Sequence, residues 1–167
     1  MNAAELRELQ APFKNRYRES PETAVGTLSA SGTIDRDNLT CQIHPQGPSR
    51  ARAGLHPMAG GDGQTACAAE MLLEALVGCA GVTFAAVCTA MDLPITSAEL
   101  KVEGDMDFRG TLGVSRDVPV GFQTVRLNFE IDSPADDDKL QKAVELAERY
   151  CVVAQTLKSV SASWHRR

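Results

Sequence analysis

The sequence predicts an α+β fold, antiparallel strands packed on helices, and three stretches carry that reading. Residues 75 to 91 (ALVGCAGVTFAAVCTAM) hold no charge and are apolar nearly all round, as in a helix covered on most sides. AELKVEGDM and TVRLNFEI alternate apolar and polar residues, the mark of strands with one face buried. After Ser133-Pro134 an acidic first turn leads into Leu140, Val144 and Ala147, a stripe at helical spacing.

Taken in order, residues 3 to about 18 form an amphipathic helix with Leu6, Leu9, Phe13 and Tyr17 on one face, interrupted near Pro12. Residues 1–22 are thus expected to be a helical extension and 23–167 a single domain. Strand patterns follow at Ala24–Ile34 and Leu39–Ile43, and Asp35-Arg36-Asp37-Asn38 between them has hairpin-turn chemistry, which puts Arg36 at a turn. PQGP, HPM and AGGDG mark Pro45–Gly63 as a long loop. The apolar helix runs from near Thr65 to about Met91 and stops at Asp92-Leu93-Pro94. Its uncharged stretch is marginal for a bilayer and rich in Ala, Gly, Cys and Thr, so a buried central helix is expected and no membrane partner. The helix opened by Ser133-Pro134 ends near Tyr150. Cys151 starts a second short helical turn, and Val160, Ala162 and Trp164 alternate as a last strand.

A net charge of −5 and scattered acidic residues argue against a nucleic-acid surface. No apolar segment follows a basic start near the N-terminus, so a cytoplasmic location is expected. The five cysteines are odd in number and irregularly spaced, unlike a secreted disulfide framework. Cysteines and histidines (His44, His56, His165) show no ligand-like separation, so neither a metal nor a bound cofactor is expected, and AGGDG lacks the lysine of a phosphate loop. The histidines read as solvated or packing residues, and Asp136–Asp138 as the start of a helix.

That leaves the thiols. A lone cysteine in an apolar helix, such as Cys79, is commonly a small hydrophobe. Cys151, however, lies at a helix start, where unpaired N–H groups favour a thiolate. A reactive thiolate with a second thiol in reach is what a peroxidase needs, since the sulfenic acid left by peroxide condenses with it.

From about Val25 onward the order of elements, with LLEALVGCAGVTFAAVC on the central helix, then VPVGFQTVRLNFEI, then AVELAERYCVVAQTL, resembles the OsmC/Ohr family, the osmotically inducible and organic hydroperoxide resistance proteins. The resemblance implies strongly curved antiparallel sheets wrapped around two central helices, an intertwined homodimer, and active sites at the subunit interface. It makes Cys79 the peroxidatic and Cys151 the resolving cysteine, and Arg36 of Arg36-Asp37-Asn38 the match to the family's activating arginine, with Arg50 and Arg52 as rivals. Val152 stands where the family has proline, and Ala69 where it has glutamate, Glu70 being one residue later.

The chemistry calls for a cation: a thiol with pKa near 8.5 is only a few per cent ionised at neutral pH, and burial lowers that fraction further. A guanidinium keeps its proton and bridges sulfur and peroxide oxygen. Small neighbours around Cys79 would let both approach. The expected activity is thiol-dependent reduction of alkyl or fatty hydroperoxides, with an external dithiol as reductant. The alternative is a non-peroxidatic relative binding a small apolar ligand at the dimer interface.

Overall fold

The computed structural model describes residues 3–37, 40–44, 53–64, 66–157 and 160–166. Five strands make one sheet in the order β2-β1-β5-β6-β7, with β1 Val25–Asp35, β2 Thr40–His44, β5 Ser97–Asp107, β6 Phe122–Asp132 and β7 Val160–Arg166. Strict alternation sets which faces are buried: Ala98, Leu100 and Val102 on β5, and Val125, Leu127, Phe129 and Ile131 on β6, are all within 2% of complete burial. β1 and β2 pair antiparallel from Ser31↔His44 to Asp35↔Thr40, as a hairpin closing on Arg36 requires.

The last strand departs from the expectation of antiparallel pairing. β7 runs parallel to β6 in unbroken register from Val125↔Val160 to Ile131↔Arg166. The reason lies in the connection, for between β6 and β7 the chain passes through α4 (Asp137–Tyr150) and α5 (Val152–Thr156). A helical crossover of that length brings a strand back in the same direction. A two-residue strand β3 (Ala53–Gly54) likewise pairs parallel with β4 (Ala66–Cys67).

The central helix α2 spans Ala68–Ala90. Ala66 and Cys67, expected to be helical, belong to β4 instead, because their backbone groups pair with β3; Thr65 lies outside the described residues. At its C-terminus Asp92 takes φ 52°, the Leu93 N–H reaches back to the Cys88 carbonyl at 2.9 Å, and Leu93 is buried. This is a left-handed cap in which aspartate does what glycine more often does, and Pro94 then prevents continuation. Helix α2 is long and apolar enough to cross a membrane, and 56% of its most apolar window is buried within the protein.

Helix α4 begins at Asp137, capped by Asp136, later than Ser133-Pro134 suggested. Ser133 is buried and occupied: its hydroxyl donates to the Pro94 carbonyl at 2.8 Å and accepts from the Ala135 N–H at 3.1 Å, forming a turn ahead of the helix. Leu140, Val144 and Ala147 are buried as the stripe predicts. Trp164 Nε1 on β7 donates to Gln141 Oε1 at 2.7 Å, and Arg166 bonds Asp137 and the Ser133 carbonyl, so α4 is tied to the edge strand.

The chain divides into two compact units. One comprises residues 1–28, 47–71 and 104–124. Here α1 (Ala3–Glu19) runs through Pro12 without a break. Proline removes a single N–H bond, and the turns beyond it are held by Tyr17, which is fully buried and donates its hydroxyl to the Met58 carbonyl at 2.7 Å. His56 stacks on Phe108, which opens the one-turn helix α3 (Phe108–Thr111), at 5.1 Å, and accepts the Met58 N–H at 3.1 Å. The other unit comprises residues 29–46, 72–103 and 125–167. Its core is built where α2 meets the sheet, with Phe84 and Phe129 rings 4.9 Å apart. It contains Arg36, Cys79, Cys88 and Cys151.

Candidate active site

Cys79 sits in the middle of α2, half-buried, on the face that the core leaves open. At 100° per residue, Leu72, Ala75, Val82, Thr83 and Ala86 share that face. Leu72 and Val82 are 40% and 39% exposed, and Ala75 and Ala86 are exposed as well. The Thr83 hydroxyl donates to the Cys79 carbonyl at 2.7 Å, four residues back along the helix.

Cys151 arrives from the crossover. It is the C-cap of α4 and the N-cap of α5, is fully buried, and its sulfur accepts the Ala154 N–H at 3.4 Å. Each thiol acts on the other's ionisation, Cys151 favouring the Cys79 thiolate and Cys79 keeping the proton on Cys151.

Their titrations diverge. Burial works against ionisation of Cys79, but the backbone at Val153, the Cys151 thiol, the backbone at Val152 and Thr83 favour its anion, and together they hold its pKa below the ordinary thiol value. For Cys151, burial dominates: the Ala154 N–H favours its thiolate, yet the neighbouring Cys79 keeps its proton on, and its pKa is pushed up to about 11. This reverses the expectation that the helix start would make Cys151 the thiolate. The start of α5 acts on both thiols, Val153 on each of them, Val152 on Cys79 and Ala154 on Cys151.

Arg36 lies elsewhere. It stands at the β1–β2 turn, where the Asp37 N–H donates to Asp35 Oδ1 at 3.0 Å, and it lines a cavity of about 270 Å³ with Phe84, Ala85, Cys88 and residues 95–98. Cys88 is nine residues beyond Cys79, on the opposite face of α2 and roughly 13 Å further along its axis. Burial pushes the Cys88 thiol up to about 12 in spite of the Arg36 charge nearby. Within one chain, then, Cys79 and Cys151 come together and Arg36 accompanies Cys88. Arg50, Arg52 and Asn38 lie outside the described residues, as does the side chain of Cys41. Glu70, in the first turn of α2, shares a compact unit with His56 and acts on it electrostatically: burial lowers the imidazole pKa and Glu70 raises it. Among the described residues no cluster of three or more potential ligands could hold a metal.

Two contributors escaped the sequence. Thr83 was visible in principle, as the hydroxyl residue four positions from Cys79 on a helix. The Val152 and Val153 amides were not, since backbone donors leave no signature in residue type.

The family described as OsmC-like protein matches residues 61–164. Among solved structures, an OsmC-like protein from Mycoplasma pneumoniae superposes with a TM-score of 0.55 at 15% identity, covering 86% of this chain and 94% of that one. An OsmC-like hydroperoxide resistance protein from Jannaschia sp. CCS1 gives 0.53 at 14% identity, over 85% and 92%. No curated protein is significantly similar in sequence. With a family match over well more than half of its length and the same mixed α and β architecture in both structures, the chain belongs to the OsmC-like protein family.

Proposed function

We propose that the protein is a thiol-dependent peroxidase acting on organic hydroperoxides, with Cys79 as the attacking thiolate and Cys151 as the resolving thiol. The observation that carries this reading is the electrostatic link between the two thiols, in which one is held toward its anion and the other holds its proton. Membership in the OsmC-like family and the likeness to a hydroperoxide resistance protein support it. Cys79 attacks the terminal peroxide oxygen, alcohol departs, and Cys151 condenses with the sulfenic acid to form a disulfide that an external dithiol reduces. The exposed apolar residues about Cys79, namely Leu72, Val82 and the 72%-exposed Val152, suit an alkyl or fatty substrate better than hydrogen peroxide.

The same face supports a homodimer, because a stripe of this kind on a central helix is normally covered. Arg36 can serve Cys79 only across such an interface, since in its own chain it lies on the Cys88 side of α2. Arg36 of a second copy would add a guanidinium to a thiolate that backbone amides have already stabilised. A cytoplasmic location suits chemistry that consumes reduced thiols.

The test is the intact mass of reduced protein before and after cumene hydroperoxide. Loss of two hydrogens per chain and a Cys79–Cys151 peptide cross-link are expected. Unchanged mass would transfer support to the ligand-binding alternative.

A further inference from the structure

We propose that His56 is an acid-sensitive latch for the N-terminal helix: its neutral ring holds the turn on which α1 docks, and protonation of the ring releases the helix. The device lies wholly within the compact unit of residues 1–28, 47–71 and 104–124, apart from Cys79 and Cys151 of the other unit.

The hydrogen bonds run in one line. His56 caps the three-residue 3₁₀ helix Pro57–Ala59: its Nδ1 accepts the Met58 N–H at 3.1 Å, and its carbonyl accepts the N–H groups of Ala59 and Gly61 at 2.8 and 3.1 Å. The Met58 carbonyl in turn accepts the hydroxyl of the fully buried Tyr17 at 2.7 Å, and the Ala59 carbonyl accepts Gln10 Nε2 at 3.4 Å. Leu9 packs on Gly60 so closely that a Cβ there would lie 3.1 Å from Leu9 Cγ. Leu9, Gln10 and Tyr17 of α1 thus rest on a turn whose first side-chain bond is made to an imidazole.

That bond fixes where the proton is. An amide nitrogen only donates, so Nδ1 must offer its lone pair, and the neutral ring carries its hydrogen on Nε2. Protonation places a second donor at Nδ1, aimed at the Met58 N–H. The bond is lost and two donors face each other, so the Met58 backbone must turn away and take with it the carbonyl that holds Tyr17. Flipping the ring in its stack on Phe108 brings no relief, because both nitrogens of an imidazolium are donors.

The surrounding charges leave this titration to His56. Asp107 on β5 is paired with Arg109 of α3 at 2.6 Å, Arg16 of α1 lies over the Tyr17 ring at 5.2 Å, and Asp62 accepts the Gln64 N–H at 2.9 Å. Glu70 of α2 acts on the imidazole and favours its charged form, but burial outweighs it and lowers the His56 pKa from 6.5. The sign follows: docking is complete above the ordinary imidazole value and weakens as pH falls through the lower value of the docked ring.

The experiment is amide hydrogen exchange on the full chain at about pH 7.5 and about pH 5, corrected for the intrinsic pH dependence of exchange, comparing peptides within α1 with peptides within α4. In the wild type, protection of α1 should fall about tenfold on acidification, the loss expected when a part-buried N–H is deprived of its acceptor, while α4 is unchanged. His56→Asn offers Met58 an N-cap oxygen that does not titrate and should abolish the fall. His56→Phe keeps a ring on Phe108 without an acceptor and should show the reduced protection at both pH values. The midpoint of the wild-type loss should coincide with titration of the His56 ring followed by NMR. No fall in the wild type, or an equal fall in His56→Asn, would overturn the proposal. So would a fall shared by α4, which marks acid unfolding of the whole chain, or a midpoint away from that of the ring, which places the titration on another group.

Discussion

Two thiols on one helix, Cys79 and Cys88, have opposite electrostatic fates. Cys88 has an arginine in the cavity beside it and is nonetheless pushed up to about 12; Cys79, which no cation among the described residues acts on, is held below the ordinary thiol value. The difference is desolvation and direct donors. Cys88 is completely buried, and the Arg36 charge acts on it without a hydrogen bond. Cys79 is half-buried, and the backbone at Val153 and Val152, the Cys151 thiol and Thr83 all favour its anion. Charge proximity offsets burial weakly, whereas donors aimed at the sulfur stabilise the anion where it forms.

The largest effect should come from deleting the activated member. Cys79→Ser is expected to reduce hydroperoxide consumption to background, while Cys88→Ser stays within about twofold of wild type, because a hydroxyl cannot replace a thiolate nucleophile and Cys88 takes no part. Coupled peroxidase assays decide it. If Cys88→Ser were also inactive with an intact fold, the contrast between the two faces would be meaningless.

A second way to sharpen the comparison is to separate the donors from the arginine. Val82→Asp places a charge in the exposed stripe and should turn a dimer into a monomer by light scattering, with activity falling about tenfold or more as the guanidinium is lost. Arg36→Ala should raise the midpoint of Cys79 alkylation against pH in the assembled protein and leave it unchanged in the Val82→Asp background. An effect of Arg36→Ala in both would place Arg36 within reach of Cys79 in a single chain.

The Cys88 side has a thermodynamic signature. A thiol that binds its proton more tightly folded than unfolded must lose it on unfolding at alkaline pH, so the stability it contributes is complete below about pH 9 and drains away as pH rises toward 12. Between those limits one such group tilts the stability curve by up to about 1.4 kcal/mol per pH unit, and Cys151 adds in the same direction up to about 11. Cys88→Ala should lose about 1 kcal/mol at neutral pH from the cavity but show a shallower alkaline decline in urea titrations.

The smallest expected change is at Thr83. Thr83→Val removes the hydroxyl beside Cys79 and should slow Cys79 alkylation at neutral pH by roughly two- to tenfold, with Thr83→Ser restoring it. No change at all would leave the hydroxyl merely capping the Cys79 carbonyl.

What could be read in advance follows the range of each signal. Strands β5 and β6 were legible because alternation is a local property of Leu100–Val102 and Val125–Ile131. The α2 stop was legible because Asp92-Leu93-Pro94 ends a helix wherever it occurs. The direction of β7 was not, since Val160, Ala162 and Trp164 alternate identically whichever way the neighbouring strand runs. Ser133 misled because a serine before proline resembles a helix cap, and only the fold reveals that its hydroxyl is held by Pro94 and Ala135. The nearness of Cys79 to Cys151 was expected through family resemblance, whereas the amides that tune Cys79 follow from how α5 happens to point. Arg36 was placed at its turn from sequence; that the turn faces Cys88 depends on the pairing of β1 within the sheet.

The parallel pairing of β6 and β7 bears on how the chain acquires its chemistry. Each partner in that ladder is 35 positions from its mate, a constant offset from Val125↔Val160 onward, so no hairpin can zip it. Such non-local pairings form late, after loop-closure entropy has been met by other contacts. Cys151 lies inside the closing segment, at the joint between its two helices. A nascent or partly folded chain therefore carries five ordinary thiols and no coupled pair, and the onset of selective alkylation at Cys79 during refolding should coincide with docking of the final strand. On the proposed peroxidase reading, reactivity would arise only once this topology is complete.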